Sequence, residues 1–411
     1  MATIQNIPKL RFREFKKNWE TITLGDLLTF KNGLNSEKEK YGKGIKFINV
    51  LDILNNPFIT YDKIIGSVEV TEKEFEKNEV SYGDILFQRS SETRAEVGQA
   101  NVYLDKDKSS VFGGFVIRGK AKYEYNPLFM NYLLRTPIAR KEITDKSGGS
   151  TRYNVGQDTL SQVQLISTTI PEQQKIASFL SAVDEKIQQL SRKKELVEQY
   201  KKGVMQQLFS GKLRFKDENG TDYADWEEKK LGEIAKYYDG THQTPNYVES
   251  GIPFYSVEHV TANQFRKTKY ISKEVFEKEN KRVKVEKGDI LMTRIGDIGT
   301  SKLIDWDVNA SFYVSLALIK QNENYDSKFL NQYISSVNFQ KELWSNTIHV
   351  AFPKKINLGE IGKCKIKFPP LPEQQKIANF LSNIDIKIEN TNQEINQMQG
   401  FKKGLLQQLF V

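Results

Sequence analysis

The sequence predicts an α+β protein with a pseudo-two-fold internal repeat, in which two globular domains are separated by two long antiparallel coiled-coil helices. Three observations predict this architecture. The 411 residues suit two domains with connecting elements, a long motif occurs twice, and each copy carries apolar residues at heptad spacing. We therefore expect a first globular domain with a leading segment at 1–168, a central helix at 169–211, a second globular domain at 212–369 and a C-terminal helix at 370–411.

The repeated motif defines the internal duplication. Residues 171–209 align without a gap with residues 372–410, and 20 of the 39 aligned positions are identical, beginning with Pro-Glu-Gln-Gln-Lys-Ile-Ala in both copies. Shorter landmarks that precede the motif recur in the same order, among them Lys-Leu-Arg-Phe, a tryptophan followed by Leu-Gly, and Gly-Asp-Ile-Leu. This collinearity indicates that whole domains are duplicated together with the helices.

Each copy of the motif predicts a long helix. Pro171 and Pro372 suit the first helical turn, where Glu172 and Glu373 add favourable negative charge. The second helix must run back along the first to bury its apolar seam, so the pair is antiparallel and the C-terminus is expected near the leading segment. The alternative is that each helix packs only on its own domain. The spacing predicts a coiled-coil seam at Ile176, Leu180, Val183, Ile187, Leu190, Val197, Ile377, Leu381, Ile384, Ile388, Ile395 and Met398.

Composition indicates which kind of partner and which cellular compartment suit the chain. Lys and Arg outnumber Asp and Glu by 61 to 52, a net charge of +9 that favours a polyanionic partner such as nucleic acid, although a basic surface also serves solubility alone. The single cysteine, Cys364, excludes an intramolecular disulfide within this chain and favours a reducing, cytoplasmic location. We find no pattern of a signal peptide or a membrane-spanning segment and expect no membrane association.

Catalytic patterns are weak throughout. The three histidines and one cysteine are not at zinc-ligand spacing, so we expect no metal site. Residues 114–120 match the spacing of a phosphate-binding loop, but Ala121 stands where Ser or Thr would hold magnesium. Residues 55–58, Asn-Asn-Pro-Phe, are similar to the tetrapeptide of adenine methyltransferases, yet no glycine-rich cofactor loop precedes them. We expect a chain without catalytic residues.

The duplicated motifs resemble the specificity subunit of type I restriction-modification enzymes. The resemblance rests on two variable regions, each followed by Pro-Glu-Gln-Gln-Lys-Ile-Ala and a heptad helix, with Leu-Arg-Phe and Trp-x(4)-Leu-Gly leading segments, and it covers the whole chain. It implies two target recognition domains that each read one half of a bipartite double-stranded DNA sequence.

The same resemblance implies partners that carry the chemistry. The helices would set the gap between the half-sites and dock two modification (adenine methyltransferase) subunits, and restriction/translocase subunits would join for cleavage. This chain would be non-catalytic and hold no cofactor, with S-adenosylmethionine, Mg and ATP on the partner subunits. Two other functions stay open, namely the recognition part of a single-component DNA methyltransferase or nuclease, and a protein-only coiled-coil scaffold.

Polar loops supply the candidate DNA contacts. Arginine reads guanine and Asn or Gln reads adenine, while Lys, Ser and Thr more often contact phosphates. Such residues follow each Gly-Asp-Ile-Leu segment and precede each long helix, and Arg89 and Arg294 rank first. Exposed loop charges and structural ion pairs are the alternative for each candidate. The full set is Gln88, Arg89, Ser90, Arg94, Arg152, Tyr153, Thr293, Arg294, Lys354 and Lys355.

Overall fold

The computed structural model describes residues 6–411, and the start of the first predicted domain, residues 1–5, lies outside this range. The chain forms two compact units. Unit 1 contains the chain up to Leu190 together with Glu394–Val411, and unit 2 is Ser191–Gln393. This division falls within both long helices, so each helix begins in one unit and ends in the other.

Unit 1 contains short strands, short helices and the start of a long helix. Its strands are β1 (Glu20–Thr23), β2 (Leu28–Asn32), β3 (Tyr41–Ile48), β4 (Ser67–Val68), β5 (Ile85–Gln88), β6 (Ser90–Ser91), β7 (Ala100–Val102), β8 (Val111–Phe112), β9 (Val116–Ala121), β10 (Tyr153–Asn154) and β11 (Gln164–Ser167). Its helices are α1 (Leu24–Leu27), α2 (Val50–Asn55), α3 (Glu72–Asn78), α4 (Pro127–Leu134), α5 (Pro137–Asp145) and α6 (Gln157–Ser161), followed by the long α7 (Ile170–Ser210).

The central sheet of unit 1 is antiparallel with the order β2-β9-β5-β7, and a three-stranded sheet of order β4-β3-β8 includes a parallel β3/β8 pair. Strand β5 is buried on both faces, because Ile85 and Phe87 point into one core cluster and Leu86 into another. Alternation of side chains across a strand explains this division. It also explains why the Gly-Asp-Ile-Leu segment continues as an unbroken apolar run.

Unit 2 repeats this organisation. Its strands are β12 (Glu227–Lys230), β13 (Tyr237–Asp239), β14 (Tyr247–Val248), β15 (Ile252–Tyr255), β16 (Lys269–Ile271), β17 (Ile290–Ile295), β18 (Asp297–Leu303), β19 (Ser311–Phe312), β20 (Leu316–Ile319) and β21 (Lys365–Phe368). Its helices are α8 (Leu231–Ile234), α9 (Val257–Thr261), α10 (Lys273–Glu279), α11 (Ser327–Ile334), α12 (Val337–Ser345) and α13 (Leu358–Lys363), followed by the long α14 (Leu371–Leu409).

The two units share one topology, which confirms the predicted internal repeat. The sheet β13-β20-β17-β18 matches β2-β9-β5-β7, and the parallel pair β15/β19 matches β3/β8. The two-stranded pair β12/β21 likewise matches β1/β11. In β17, Ile290 and Met292 point into one cluster and Leu291 into the other, as in β5. The predicted α+β class is also confirmed.

The two long helices pack together in antiparallel fashion, as predicted. In unit 1, Leu180 near the start of α7 shares a core with Leu405 near the end of α14. The backbone N–H of Leu10 donates to the carbonyl of Gln408 over 2.9 Å, and the rings of Trp19 and Phe410 lie 6.2 Å apart. The expected proximity of the C-terminus to the leading segment is therefore confirmed. No helix within residues 6–411 has the length and apolarity that a membrane crossing requires.

Candidate nucleic-acid interface

The Pro-Glu-Gln-Gln motif fixes the start of α7 to the rest of unit 1. Glu172 is 1% exposed and accepts hydrogen bonds from Nε and Nη2 of Arg11 at 2.7 and 2.8 Å. Burial alone would raise the pKa of Glu172, but hydrogen bonds from Arg11 and Thr168 outweigh it and hold the pKa below its ordinary value. Gln173 accepts from the N–H of Asn126, the N-cap of α4, over 2.9 Å.

The second motif makes the corresponding arginine and glutamine contacts in unit 2, and a tryptophan adds a third hydrogen bond to its glutamate. Glu373 is fully buried and accepts from Arg214 at 3.1 and 2.8 Å and from Nε1 of Trp226 at 2.8 Å. Gln374 accepts from the N–H of Asp326, the N-cap of α11, over 3.0 Å. The motif is thus a structural junction, and the arginine of each Leu-Arg-Phe segment is its ionic partner.

Polar residues that interrupt the apolar spacing form contacts between the helices. In unit 1, Lys402 lies 2.5 Å from Asp184, which also accepts from the hydroxyl of Tyr132 at 2.7 Å. In unit 2, Lys201 and Asp385 occupy the equivalent positions at 2.7 Å. Ion pairs at interrupted seam positions favour one register of the two helices over others.

The first half of each long helix is buried more broadly than a narrow seam requires. Ala177 and Ala378, between the predicted seam positions, are 2% and 0% exposed. One side of each of these helix halves packs on the core of its unit, and a second side packs on the other long helix. Of the predicted seam residues, Ile176, Leu180 and Val183 lie in the core of unit 1, with Ile187 and Met398 packed beside it. Ile377, Leu381 and Ile384 lie in the core of unit 2, with Val197 and Ile388 packed beside it. Leu190 and Ile395 are also buried.

The two candidate loops of unit 1 meet in space. Strand β6, which follows the Gly-Asp-Ile-Leu strand, pairs with β10, which precedes α7. The hydroxyl of Ser90 donates to Oδ1 of Asn154 at 2.5 Å, and Tyr153 pairs with Ser91 and packs partly against the core. The N–H of Val155 donates to the carbonyl of Arg89 over 3.0 Å. Segments more than 60 residues apart in sequence therefore form one surface.

Three arginines of this surface are exposed. Arg89 makes a long 3.3 Å hydrogen bond from Nη1 to the carbonyl of Gly114. Arg94 is 54% exposed and donates to the carbonyl of Thr144, and Arg152 is 69% exposed with a 4.0 Å contact to Glu92. Exposed contacts of this kind are weak and exchange readily for a stronger anionic partner. Gln88, by contrast, is buried and donates to the carbonyl of Ser90 at 2.9 Å.

Arg140 of α5 braces the loop that follows Arg89. Its guanidinium donates to the carbonyls of Ala95, Val97 and Gly98 at 3.1, 2.6 and 2.6 Å. Burial lowers the pKa of Arg140 to about 10, which leaves it charged at neutral pH. In unit 2, Gln340 of α12 donates to Gly299 at 2.9 Å. Neither residue could be identified from the sequence, because nothing local marks its distant partners.

The candidate loops of unit 2 also meet. The N–H of Gly296 donates to the carbonyl of Lys354 over 2.8 Å, and Lys355 forms β-bridges with both Ile295 and Ile348. The N–H of Ile356 donates to the carbonyl of Arg294, as Val155 does to Arg89 in unit 1. The loop surface thus has the same construction in both units.

Thr293 and Arg294 lie beneath this surface. Thr293 is 0% exposed, and its hydroxyl donates to Asp297 at 2.6 Å. Arg294 is 8% exposed and donates from Nη1 to the carbonyl of Val314 at 2.6 Å, and burial lowers its pKa below the ordinary value. A base contact by Arg294 would require its side chain to leave this position, whereas Arg89, the equivalent residue, is already exposed.

Lys354 and Lys355 are the exposed cations of the unit 2 surface. Nζ of Lys354 lies 4.7 Å above the ring of Trp344, which in turn lies 4.4 Å from the ring of His349. Cations next to a turn suit contact with phosphates, and exposed arginines suit the edges of bases. Within residues 6–411 no group of three or more His, Cys, Asp or Glu side chains is placed to hold a metal ion.

Comparison with known proteins assigns the family. The model of the type I restriction modification DNA specificity domain matches residues 16–199 and 223–399, one match in each half of the chain. The chain is 28% identical to the putative type I restriction enzyme MjaX specificity subunit of Methanocaldococcus jannaschii, covering 98% of this chain and 95% of that protein. It is 24% identical to the EcoBI specificity subunit of Escherichia coli, covering 70% and 64%.

Solved structures share the fold. The S subunit of a type I restriction-modification system from M. genitalium superposes with a TM-score of 0.60 at 19% identity, over 98% of this chain and 99% of that one. A chain from a structure of a type I R-M system, described in terms of complex assembly and conformational transition, gives a TM-score of 0.58 at 15% identity, over 95% and 97%. Since the family model matches most of both halves, the chain belongs to the type I restriction-modification DNA specificity family.

Proposed function

We propose that this chain is the DNA sequence-specificity subunit of a type I restriction-modification complex and that it binds a bipartite target in double-stranded DNA. One observation carries the proposal: two units of the same topology each join two distant polar loops into one exposed basic surface. Each such surface would read one half-site. Membership of the specificity family and the net charge of +9 support a DNA partner.

The exposed side chains are assigned the contacts with DNA. In unit 1 these are Arg89, Arg94 and Arg152, and in unit 2 they are Lys354 and Lys355. The buried Gln88, Thr293 and Arg294 would position the loops instead, since each donates a hydrogen bond within the protein.

The complex would contain two modification subunits, and restriction/translocase subunits would join it for cleavage. Support for the number two comes from the helices, where Tyr200 and Phe401 stand at equivalent positions of the repeat and are 57% and 51% exposed. Equivalent exposed side chains of this kind would offer each of two partner copies the same contact. Tyr200→Asp and Phe401→Asp should each weaken the binding of modification subunits, and the double variant should bind neither copy.

The chemistry would belong to those partners. S-adenosylmethionine, Mg and ATP are assigned to the modification and restriction subunits, and this chain would recognise the target DNA sequence. The single cysteine, which is buried, supports a cytoplasmic setting. We expect the purified chain alone to transfer no methyl group to DNA, whereas a single-component methyltransferase would do so.

Binding of the chain together with its modification subunits to duplex DNA tests the proposal. We expect affinity for a random duplex to fall steeply with salt, because phosphate contacts release counterions, and a target selected from a library to bind more tightly. Arg89→Ala should cost about 1–3 kcal/mol and relax selection at one base pair. Lys43→Ala, an exposed lysine of the same unit outside the loops, is the control and should change neither. Equal affinity for every duplex would contradict the proposal, as would binding that is insensitive to salt.

A further inference from the structure

The loop between α12 and α13 in unit 2 carries two fully exposed apolar side chains, which form its tip. Phe352 is 104% exposed and Val350 is 96% exposed, so neither side chain is covered within unit 2. Leaving large apolar side chains in water forgoes the favourable free energy of burying them. The tip therefore suits contact with a partner that can cover it.

The backbone on both sides of the tip is held in place. The N–H of Ile348 donates to the carbonyl of Lys355, and the N–H of Gly296 donates to the carbonyl of Lys354, both over 2.8 Å. Below the tip, His349 packs against the ring of Trp344. The two apolar side chains are thus presented from a braced support.

The charges around the tip favour DNA as the partner. Lys354 and Lys355 follow Phe352 and Pro353 in the chain and are exposed, and they lie on the surface to which we assign the second half-site. Cations next to an apolar group match a duplex, in which phosphates lie outside and apolar base faces and thymine methyl groups lie inside. The equivalent loop of unit 1 carries Gly149, Ser150 and Thr151 at this place. The two units therefore offer their half-sites different chemistry.

We propose that Phe352, with Val350 beside it, makes direct apolar contact with bases of the second half-site while Lys354 and Lys355 lie against phosphates. The inference rests on the proposed function and adds a specificity-determining residue to it. It also assigns apolar base contact to unit 2, where the sequence pointed first to Arg294.

The test uses the full chain in complex with its modification subunits and its own target duplex. Phe352→Ala should weaken specific binding by about 5- to 150-fold, taking as the scale the removal of an aromatic side chain that stacks on a base of single-stranded nucleic acid. It should leave binding to random duplex unchanged, and it should leave the slope of log affinity against log salt unchanged. Lys355→Ala should instead lower that slope by about 1. Phe352→Leu, which keeps an apolar tip, should retain part of the affinity.

Base substitutions locate the contact. Replacing single thymines by uracil removes the methyl group, and single 2-aminopurines report unstacking by fluorescence. We expect at least one position of the second half-site to respond to one of these probes with the natural chain and not with Phe352→Ala. Ile65→Ala, which removes an 89% exposed apolar side chain from unit 1, is the matched control and should behave as the natural chain.

Three results would overturn the inference. In the first, Phe352→Ala binds the target with unchanged affinity and sequence selection. In the second, it loses affinity only where its thermal stability falls as well. In the third, it binds the modification subunits less tightly, while the chain without those subunits binds DNA as before. Failure of the proposed function would look different, because the natural complex would then not distinguish its target from random duplex.

Discussion

Replacing Glu373 by alanine should destabilise unit 2 far more than the loss of a surface ion pair. The carboxylate is 0% exposed and accepts three hydrogen bonds, two from Arg214 and one from Trp226. Removing one partner of a buried ion pair typically costs about 3–5 kcal/mol. Because Arg214 is 23% exposed and would regain water, we expect about 3 kcal/mol. For a domain of this size the Tm should fall by roughly 6–12 °C.

Calorimetry of the full chain measures this loss, and hydrogen exchange locates it. Exchange should accelerate at the start of α14 and in the segment around Arg214 and leave the sheet of unit 1 unchanged. Glu360→Ala removes a partner of the exposed Lys363 and should destabilise the chain far less than Glu373→Ala. If Glu373→Ala were no less stable than Glu360→Ala, the junction at the Pro-Glu-Gln-Gln motif would not stabilise the fold as described.

Three further predictions concern unit 1. Arg140→Ala removes the hydrogen bonds to Ala95, Val97 and Gly98, so exchange of the backbone amides of that loop should accelerate while β5 stays protected; unchanged exchange would show that Arg140 does not brace the loop. Burial raises the pKa of Asp84 to about 6, so its contribution to the stability of unit 1 is full below the ordinary value near 4 and is lost as pH rises through 6. In urea titrations the free energy of unfolding of the natural chain should therefore fall by up to about 3 kcal/mol between pH 4 and 7. Asp84→Asn, which does not titrate, should lack this fall, and a variant with the natural pH profile would contradict this. Lys402→Ala should lower the free energy of unfolding by about 1–2 kcal/mol, since it removes a partly buried ion pair with Asp184; a loss below 0.5 kcal/mol, on the order of a surface substitution, would contradict it.

The long helices could be predicted because their determinants are local. Apolar spacing and the Pro-Glu starts lie within each helix, and chain direction makes the pair antiparallel. The roles of Lys201 and Lys402 could not be assigned from spacing, since the carboxylate that Lys201 pairs with lies 184 residues away in sequence. The sequence did hold one unused signal for the junctions, because the arginine of Leu-Arg-Phe and the glutamate of Pro-Glu-Gln-Gln are identical in both copies.

The candidate interface shows where sequence reasoning ends. The repeated Gly-Asp-Ile-Leu segments predict that Arg89 and Arg294 occupy equivalent positions in the two units, and their backbones do make equivalent hydrogen bonds. Both side chains also donate to the carbonyl of the equivalent turn, at Gly114 and Val314. Arg89 is nevertheless exposed and Arg294 is 8% exposed, a difference of tertiary packing that no local pattern encodes. The joining of loops in each unit is likewise a result of tertiary structure.

Sequencing of methylated DNA from cells that express this chain with its modification subunits tests the central claim most directly. The account predicts one motif made of two specified parts separated by unspecified bases. Exchange of residues 349–355 for the equivalent loop of another specificity subunit should change one part and leave the other intact. A single continuous motif, or a change in both parts after this exchange, would contradict the assignment of one half-site to each unit.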